Sequence, residues 1–271
     1  MKLINIGCGS TYHRDWVNLD LVSNSSEVQA FDIRAPLPFQ NNYFNCSYTS
    51  HVIEHLTQEE AESLISECFR ILKPQGIVRI IVPDLEGIVR AYLGALEQVE
   101  SGDLSAEADY DWMMLELYDQ ATRKYKQGKM GDYLANLDTR NKSFVISRIG
   151  SEAEVSSAKR KTILQKLRPD NVLRRFPELG SVLIKGTIGV IAGKTARQAF
   201  EEGLFRNSGE IHQWMYDRFS LKRLLQKVGF VGVKTCRADE SQIPNFNSYK
   251  LDVIDGNVRK PDSLFMEGLK P

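Results

Sequence analysis

The chain has 271 residues, of which 42% are apolar and 26% charged, a balance typical of a globular chain with one large core or a core plus an insertion. Its 35 basic and 35 acidic residues give a formal net charge of zero, so no overall field attracts nucleic acid or an anionic membrane. No uninterrupted apolar run approaches the roughly 20 residues that a membrane-spanning helix needs.

The cysteine pattern indicates a reducing compartment. The chain has four cysteines that lie far apart without C-x-x-C spacing, at Cys8, Cys46, Cys68 and Cys236. We therefore expect neither a disulfide framework nor a cysteine zinc site. The apolar opening before Gly7 is too brief for a secretion signal. These features predict a cytoplasmic protein.

Four short apolar segments in the first 50 residues each predict a β-strand. They are residues 3–6, 16–21, 28–31 and 46–50. The glycine-rich loop Gly7-Cys8-Gly9-Ser10 follows the first segment, and Asp20 and Asp32 lie at the ends of the second and third. Each predicted strand therefore ends in residues suited to a tight turn or a polar contact.

The next segment predicts a helix followed by a strand. Thr57-Gln58-Glu59-Glu60 has the pattern of a capping box, and apolar residues recur at 3–4 residue spacing from Ala61 to Leu72. Lys73-Pro74-Gln75-Gly76 ends this helix, because proline cannot continue it and Gly76 suits a positive φ in the turn. The β-branched segment 77–82 predicts a strand that ends at Pro83-Asp84.

Helical patterns dominate residues 86–209, and sheet character returns near the C-terminus. We expect a helix over residues 220–228 and strands over residues 231–236 and 263–269. Strands and helices in this alternation predict an α/β fold, with a parallel sheet covered on its faces.

Residues that could bind a ligand lie at the predicted carboxyl ends of the strands, where such sheets bind ligands. Asp20 is placed to accept hydrogen bonds from two ribose hydroxyls, and Asp32 from an exocyclic amine such as that of adenine. The third glycine of a dinucleotide fingerprint is missing, since Tyr12 stands at its position. An adenosine without phosphates fits this pattern. The alternative is that both acids only cap the turns that follow their strands.

Five segments together resemble class I S-adenosylmethionine-dependent methyltransferases, most closely the type 11 branch. They are Ile4-Asn5-Ile6-Gly7-Cys8-Gly9, Val17-Asn18-Leu19-Asp20, Phe31-Asp32-Ile33, Ser50-His51-Val52-Ile53-Glu54-His55-Leu56 and Ile71-Leu72-Lys73-Pro74-Gln75-Gly76. Residues 210–217 and 259–264 look like a bacterial subgroup associated with glycan or exopolysaccharide clusters. The resemblance covers roughly residues 1–93 and 209–271. It implies a Rossmann-like sheet, mostly parallel with an antiparallel last strand, and S-adenosyl-L-methionine as cofactor.

The resemblance also implies roles for particular residues. Gly7, Cys8 and Gly9 would border the methionine part of the cofactor, and Asp20 would hold the ribose with Leu21 beside the adenine. The remaining cofactor contacts implied by the resemblance are Asp32 and Ile33 at the adenine, Ser50 and His51 beside the sulfonium, and His55. Two departures stand out. Asn5 replaces the usual acid two residues before the first glycine, and residues 10–15 are too few for the usual helix, so we expect a loop or single turn there.

A competing interpretation treats His51-Val52-Ile53-Glu54-His55 as the inverted zincin motif H-x-x-E-H of a zinc hydrolase. Zinc needs a third protein ligand and a helix long enough to fix both imidazoles. The capped helix at Thr57 leaves residues 51–56 at most a short turn, and no later His or Glu stands out as a third ligand. We therefore predict no metal site and disfavour the hydrolase. Packing beneath the loop is the plainer interpretation of His55.

Methyl transfer to a hydroxyl requires a base, and the chain has only four histidines. We expect His51 or His212 to be that base, with Tyr216 and Asp217 orienting the acceptor; a surface position is the alternative for His212. The predicted reaction is O-methylation of a sugar, glycan or secondary-metabolite hydroxyl. N-methylation on the same fold and a non-catalytic protein that kept the fold stay open as alternatives.

The domain organisation follows from these assignments. Residues 1–93 form a cofactor-binding α/β core, residues 94–209 a mainly helical insertion or lid, and residues 210–271 the C-terminal part of the sheet with the substrate site. The insertion would supply the pocket for a small-molecule or glycan acceptor. Its basic stretch over residues 159–175 and its apolar segments 182–184 and 188–192 suit either a solvated helix face or a peripheral membrane contact with a lipid-linked glycan carrier.

Overall fold

The computed structural model describes residues 1–23, 25–136, 141–150 and 176–271. The strands of these segments are β1 (Leu3–Ile6), β2 (Val17–Asp20), β3 (Val28–Ala30), β4 (Phe44–Ser50), β5 (Leu72–Pro83), β6 (Val231–Cys236), β7 (Val253–Ile254), β8 (Asn257–Val258) and β9 (Ser263–Leu269). The α-helices are α1 (Gln58–Ile71), α2 (Leu85–Glu100), α3 (Glu107–Thr122), α4 (Gly128–Ala135), α5 (Lys142–Ile149), α6 (Phe176–Arg206) and α7 (Arg218–Val228).

One sheet organises the described chain, with strand order β3-β2-β1-β4-β5-β9-β6. The strands from β1 to β5 pair in parallel, whereas β9 lies antiparallel between β5 and β6. The predicted Rossmann-like fold, mostly parallel with an antiparallel last strand, is confirmed. Residues 10–16 contain no helix, so the loop expected between β1 and β2 is also observed.

Helices α1 and α7 cover one face of the sheet because each carries an apolar stripe. Leu64 and Ile65 of α1 and Leu221 and Leu225 of α7 are fully or almost fully buried against β-branched residues of the strands, such as Ile80. Full burial of such a side chain contributes about 1.5–3 kcal/mol, so these stripes fix both helices on the sheet. They hold the carboxyl ends of β1, β2 and β4 at one edge.

The other face is covered by the C-terminal segment around Phe246 and Leu251. Beneath that segment Arg79 of β5 is fully buried, and its Nε donates to Asp252 Oδ2 at 2.8 Å. Its Nη1 donates to Oε1 of Glu267, the residue directly across the β5–β9 pair, also at 2.8 Å. Removing either acid would leave a buried charge partly unpaired, so this network ties the C-terminal segment to the centre of the sheet.

The boundary between α1 and β5 corrects one expectation. The capping box at the start of α1 is present as predicted: Thr57 Oγ1 accepts from Glu60 N, and the Glu60 carboxylate accepts from Thr57 N. At the other end, Gln75 rather than Gly76 adopts the positive φ, at 63°. Gly76 is needed for close packing instead, because a Cβ there would lie 2.7 Å from Lys73 O. Strand β5 consequently begins at Leu72, five residues earlier than expected.

The helices from α2 to α5 form a third apolar cluster around Trp112 and Met113, with Met215 packed against it. Helix α6 contains non-helical backbone at Gly193, where φ is 81°. The basic stretch of residues 159–175 lies outside the described residues, as do the side chains of 182–184. In the described part of the chain, no helix combines the length and apolar character that crossing a bilayer requires.

Candidate functional site

A cavity of about 500 Å³ opens at the carboxyl ends of β1, β2 and β4. It contains eight of the predicted cofactor residues: Gly7, Gly9, Asp20, Leu21, Asp32, Ile33, His51 and His55. Its wall also includes Thr57 and Glu60 of the α1 capping box and residues 206–209 at the end of α6, none of which was predicted to bind the cofactor. The structure therefore brings together residues from several strand ends that the sequence separates.

The glycine loop after β1 is held against β2. The amides of Gly7 and Cys8 donate to Leu19 O at 2.8 and 3.0 Å. Gly7 has φ 70°, and a Cβ at this position would lie 2.3 Å from Val52 Cγ2. Glycine is therefore required at position 7 for two reasons: the backbone is left-handed, and the segment after β4 packs too closely to leave room for a side chain. At Gly9, with φ 54°, only the backbone angle disfavours a side chain.

The two predicted carboxylates both face this cavity. Asp20 Oδ2 accepts from Gly9 N at 2.7 Å, and its Oδ1 accepts from Val22 N at 3.3 Å. Asp32 accepts hydrogen bonds from the guanidinium of Arg34, the shortest being Nε to Oδ1 at 2.9 Å and Nη2 to Oδ2 at 2.7 Å, and its Oδ1 also accepts from Arg34 N at 3.1 Å. These bonds hold the pKa of Asp32 below its usual range. Both acids thus position the turn after their own strand and also line the cavity.

Cys8 and Ser50 line a smaller neighbouring cavity of about 30 Å³, which shares Gly7 with the first. Burial raises the pKa of the Cys8 thiol to about 11, so this thiol is neutral. Ser50 Oγ accepts from Arg259 Nη2 at 2.9 Å, and Arg259 Nε donates to Leu251 O at 2.8 Å. The resemblance had placed residues 259–264 in the C-terminal segment, but it had assigned Arg259 no role.

A second cavity, of about 270 Å³, lies between the strand ends and the helices α3, α4 and α5. Its lining is His51, His55, Pro83, Gln120, Arg123, Gln127, Met130, Gly131, Leu134, Ile149, Glu210, His212, Lys260 and Asp262. His51 and His55 line both this cavity and the first. The two spaces therefore meet at these histidines.

His51 is held in a strained conformation at this junction. Its φ is 56°, a left-handed value that is uncommon for a residue other than glycine and that recurs at functional sites. Its Nε2 lies 2.9 Å from Ser263 Oγ, and its Nδ1 lies 3.2 Å from Glu54 Oε1. Burial, followed by the charges of Lys260 and Arg259, lowers the pKa of His51 well below its ordinary value. The imidazole is therefore neutral near pH 7.

Glu54 is a fully buried carboxyl that the sequence analysis weighed only as a zincin base. Within the described residues neither of its oxygens has an aligned hydrogen-bond partner; the 3.2 Å approach of His51 Nδ1 lacks hydrogen-bond geometry. Burial raises the pKa of Glu54 to about 8, so the carboxyl is mostly protonated near pH 7. An unpartnered buried acid is uncommon, and it marks this position as a candidate functional residue.

His212 reaches the site through backbone contacts with the turn after β4. The amides of Gln213 and Trp214 donate to Glu54 O at 2.7 and 3.2 Å. The rings of His55 and His212 meet edge to face, with centroids 4.7 Å apart. One ligand atom each from Glu54, His55 and His212 lies within 4.8 Å of the others. The expectation that no later histidine joins the motif was therefore wrong.

Two other expectations find no support in the structure. Tyr216 is 4% exposed and packs in the main core, and neither Tyr216 nor Asp217 lines either cavity. The Asp217 carboxylate caps α7 by accepting from Phe219 N and Ser220 N. Their assignment to acceptor orientation thus gains no support from either cavity and stays a prediction. The zincin geometry is contradicted, because His51 precedes a three-residue 3₁₀ helix, Ile53–His55, instead of sharing an α-helical face with His55.

Residues 10–80 of the chain match the family model described as a methyltransferase domain. The matched segment runs from the loop after β1 into β5, and it contains Asp20, Asp32 and His51. Residues 10–80 are therefore similar to a methyltransferase domain, which supports an enzyme that uses S-adenosylmethionine. No curated protein matches the methyltransferase sequence significantly.

Solved structures with a similar fold include methyltransferases from two thermophiles. A SAM-dependent methyltransferase from Archaeoglobus fulgidus is 13% identical over 99% of this chain and 86% of that chain, with a TM-score of 0.40. One from Thermotoga maritima, described as a possible histamine N-methyltransferase, is 11% identical over 100% and 82%, with a TM-score of 0.39. The [4+2]-cyclase SpnF is 18% identical over 30% of this chain, which spans only 38% of the cyclase, with a TM-score of 0.25. All three scores are too low to carry a functional inference.

Proposed function

We propose that the methyltransferase methylates a hydroxyl oxygen of a sugar, glycan or secondary metabolite. The observation that supports this proposal is the junction of two cavities at His51 and His55. The first cavity has the features of an adenosyl site, and the second is bounded by separate helices, as expected for a variable acceptor. A donor in one cavity and an acceptor in the other would bring their reacting atoms together at the histidines.

The first cavity fits the cofactor by size and chemistry. Its volume of about 500 Å³ lies within the usual 300–1,000 Å³ of small-molecule sites. We assign Asp20 to the ribose hydroxyls, and Asp32 with Ile33 to the adenine. Leu21 is 57% exposed beside Asp20 and would cover one face of the base on binding.

The methionine end of the cofactor would extend toward the small cavity beside Gly7. We assign its carboxylate to Arg259, since a guanidinium is the side chain best suited to a carboxylate. Ser50 and Leu251 already hold this guanidinium in place. Cys8 and Ser50 would then border the methionine chain, in agreement with the resemblance.

The second cavity suits a neutral hydroxylated acceptor. Two cations, Arg123 and Lys260, and two acids, Glu210 and Asp262, line it in equal numbers. Mixed donors and acceptors of this kind can bind several hydroxyls at once. An apolar surface formed by Met130, Leu134 and Ile149 offers contact to the less polar face of a sugar ring. The helices concerned, α3 to α5, lie within the proposed insertion of residues 94–209.

When bound, S-adenosylmethionine would supply a methyl group whose carbon an oxygen nucleophile attacks, with a C–O bond forming as the C–S bond breaks and S-adenosylhomocysteine leaving. The chain's own residues must align the acceptor and receive its hydroxyl proton. His51 and His212 are the candidates because both line the second cavity. Burial, with nearby charges, lowers the pKa of both well below the ordinary value. Both rings are therefore neutral near pH 7 and able to accept a proton.

Cofactor binding provides the first test. Calorimetric titration with S-adenosylmethionine and S-adenosylhomocysteine should give micromolar binding that a chelator does not abolish. Asp20→Asn should weaken binding roughly tenfold, because a charged hydrogen-bond acceptor is lost. The matched control Asp15→Asn, at an acid whose side chain is 61% exposed and which lies outside the cavity, should bind as wild type. Absence of binding by the wild-type protein would contradict the proposed cofactor site.

Transfer of a labelled methyl group to a panel of monosaccharides, nucleotide sugars and oligosaccharides tests the acceptor. With an acceptor identified, His51→Ala and His212→Ala should each lower turnover about 100-fold. Their cofactor affinity should stay within about threefold of wild type. A methyl group located on nitrogen would overturn the proposed hydroxyl acceptor, and wild-type turnover in both variants would overturn the proposed base.

A cytoplasmic location remains part of the proposal. All four cysteines are free thiols, and three of them are buried. Burial raises the pKa of Cys46 and Cys68 to about 12, so these thiols are unreactive packing residues. Free buried thiols are usual in proteins of a reducing compartment. A fusion whose fluorescence reports the redox state of its compartment would test the location.

A further inference from the structure

We propose that Glu54, His55 and His212 bind one divalent transition-metal ion, of which Zn²⁺ is the ion to test. The site lies at the wall of the second cavity, where His55 and His212 are both exposed to the cavity and Glu54 lies behind them. Two imidazole nitrogens and one carboxylate oxygen form a ligand set typical of catalytic zinc, which keeps a fourth position open. The location of the site does not depend on the proposed acceptor.

The ligand atoms are near enough for one ion. They lie within 4.8 Å of one another before any metal is bound. Ligand atoms about 2.0–2.2 Å from a tetrahedral Zn²⁺ are roughly 3.4 Å apart. Closing this difference would take up to about 1.4 Å of movement between ligand atoms.

The second observation is the unpartnered carboxyl of Glu54. Both of its oxygens are buried without an aligned hydrogen-bond partner in the described residues. A charged or polar group in this state destabilises the fold unless something binds it. His51 Nδ1 and the backbone N–H groups of Val52 and Glu54 lie near the carboxylate, but none of them makes an aligned hydrogen bond with it. A metal cation bound by Glu54 and the two neighbouring imidazoles would satisfy this buried carboxylate.

The orientation of His55 also fits a metal ligand. Its Nδ1 lies 3.2 Å from Ile211 O, and since a carbonyl only accepts, that nitrogen carries the proton. The other nitrogen, Nε2, is then free of its proton and can bind a metal. Histidines that bind metals commonly donate their second nitrogen to a backbone carbonyl in this way. Ile211 immediately precedes His212, so one short segment supplies both an orienting group and a ligand.

The charges around the cavity permit a dication. Arg123 and Lys260 would oppose it, but Glu210 and Asp262 line the same cavity and balance them. Glu54 adds a negative charge when it binds the ion. The catalytic role depends on the proposed function: the ion would bind the acceptor's hydroxyl oxygen in its open position and lower the pKa of that hydroxyl. Because His212 would be bound to the ion, His51 alone would receive the released proton, and the oxygen would then attack the methyl carbon.

Zinc binding to the intact chain tests the site. Protein freed of metal by a chelator and then titrated with Zn²⁺ in competition with a chromogenic chelator should bind one ion per chain. Co²⁺ should give the visible absorption of a tetrahedral site. His55→Ala, His212→Ala and Glu54→Gln should each weaken Zn²⁺ binding by about 100-fold or more, since loss of an orienting partner alone costs 10–100-fold.

The remaining histidine provides the matched control. His13 pairs with Asp15 in the early loop and lies in neither cavity, so His13→Ala should bind Zn²⁺ as wild type. Thermal unfolding and S-adenosylhomocysteine binding of every variant separate loss of the site from loss of the fold. Wild-type protein that binds no Zn²⁺, or binding that survives in His212→Ala and Glu54→Gln, would overturn the site. Failure of cofactor binding would overturn the proposed function and leave the zinc result standing.

Discussion

Arg259 illustrates a role that a single residue acquires only through the fold. In the sequence it is one of many basic residues, but in the structure its guanidinium reaches Ser50 at the end of β4. The same small cavity contains Asn5, at the position where the family usually has an acid, together with Gly7 and Cys8. A cation at this place can hold the methionine carboxylate of the cofactor.

The assignment of Arg259 leads to a ligand-specific prediction. Arg259→Gln should lower the affinity for S-adenosylhomocysteine roughly tenfold, because a charged hydrogen bond to a carboxylate is lost. The affinity for 5′-methylthioadenosine, which lacks that carboxylate, should not change. Arg237→Gln is the control, since this arginine is 80% exposed in the side chain and pairs with Asp239. An equal loss for both ligands in calorimetry would instead show that Arg259 acts by holding Ser50.

Only some of the residues that meet at the site could be predicted from the sequence to do so. Asp20 and Asp32 could be predicted to share a cleft, because a parallel sheet brings the carboxyl ends of its strands to one edge. His212 could not be placed with His55, since 157 positions separate them and only contacts formed in the fold, such as those of residues 211–214 with Glu54 and His55, bring them together. The buried state of Glu54 is likewise a property of the packed fold, which the H-x-x-E-H pattern does not contain.

Asp217, which was expected at the active site, stabilises the first turn of helix α7. Asp217 Oδ1 accepts from Phe219 N at 3.0 Å and from Ser220 N at 2.7 Å. The hydrogen bond from the Ser220 backbone is the largest cause of the lowered pKa of this carboxyl. The cap therefore requires the ionised form of Asp217.

Asp217→Ala should lower the free energy of unfolding by about 1 kcal/mol, and Asp217→Ser should restore most of it, since serine also caps helices. Because the folded-state pKa is depressed, the contribution is complete above the unfolded-state pKa of about 3.9 and is lost as the pH falls through the folded value. Urea unfolding at neutral and acidic pH measures both effects. A difference between wild type and Asp217→Ala that persists at the lowest pH would contradict this account of the cap.

The elements show which local signals are reliable. The α1 capping box and the strand Ser263–Leu269 were predicted within the segments where they occur, because their determinants are residues adjacent in sequence. The turn before β5 was assigned wrongly in detail, since the strand adds Leu72 by pairing with Phe44 across a register shift. That pairing depends on a partner strand nearly thirty residues earlier.

For the whole molecule, the α/β fold could be predicted from the alternation of strands and helices. The packing of the C-terminal segment on the second face of the sheet could not. The burial of Arg79 between Asp252 and Glu267 was not predictable, because a central arginine normally argues against a buried strand. The network compensates that charge with two acids from distant segments. Tertiary pairing here overrides the local pattern.

A peripheral membrane contact of the whole protein stays a prediction. Val190 and Ile191 of α6 are 87% and 80% exposed, near the interruption at Gly193. Val190→Ser with Ile191→Ser should reduce sedimentation with vesicles containing anionic phosphatidylserine. Added salt should weaken wild-type binding, because basic residues would contribute.

The control for vesicle binding is the matched double change Val231→Ser with Ile254→Ser. These two residues are 49% and 39% exposed and lie on β6 and β7, away from α6. The control protein should sediment as wild type. No vesicle binding by the wild-type protein, or binding that is insensitive to salt, would contradict the membrane contact.

The position of β9 between β5 and β6 has a consequence for biosynthesis. This strand, which lies next to the edge strand β6, is the last one in the described chain, and it carries both Ser263 beside His51 and Glu267 beside Arg79. Until residues 263–269 emerge from the ribosome, β5 has an unpaired edge and a buried arginine without one of its acids. The nascent chain therefore exposes an aggregation-prone strand until β9 has been made, and we expect its yield to depend on chaperones that bind such edges.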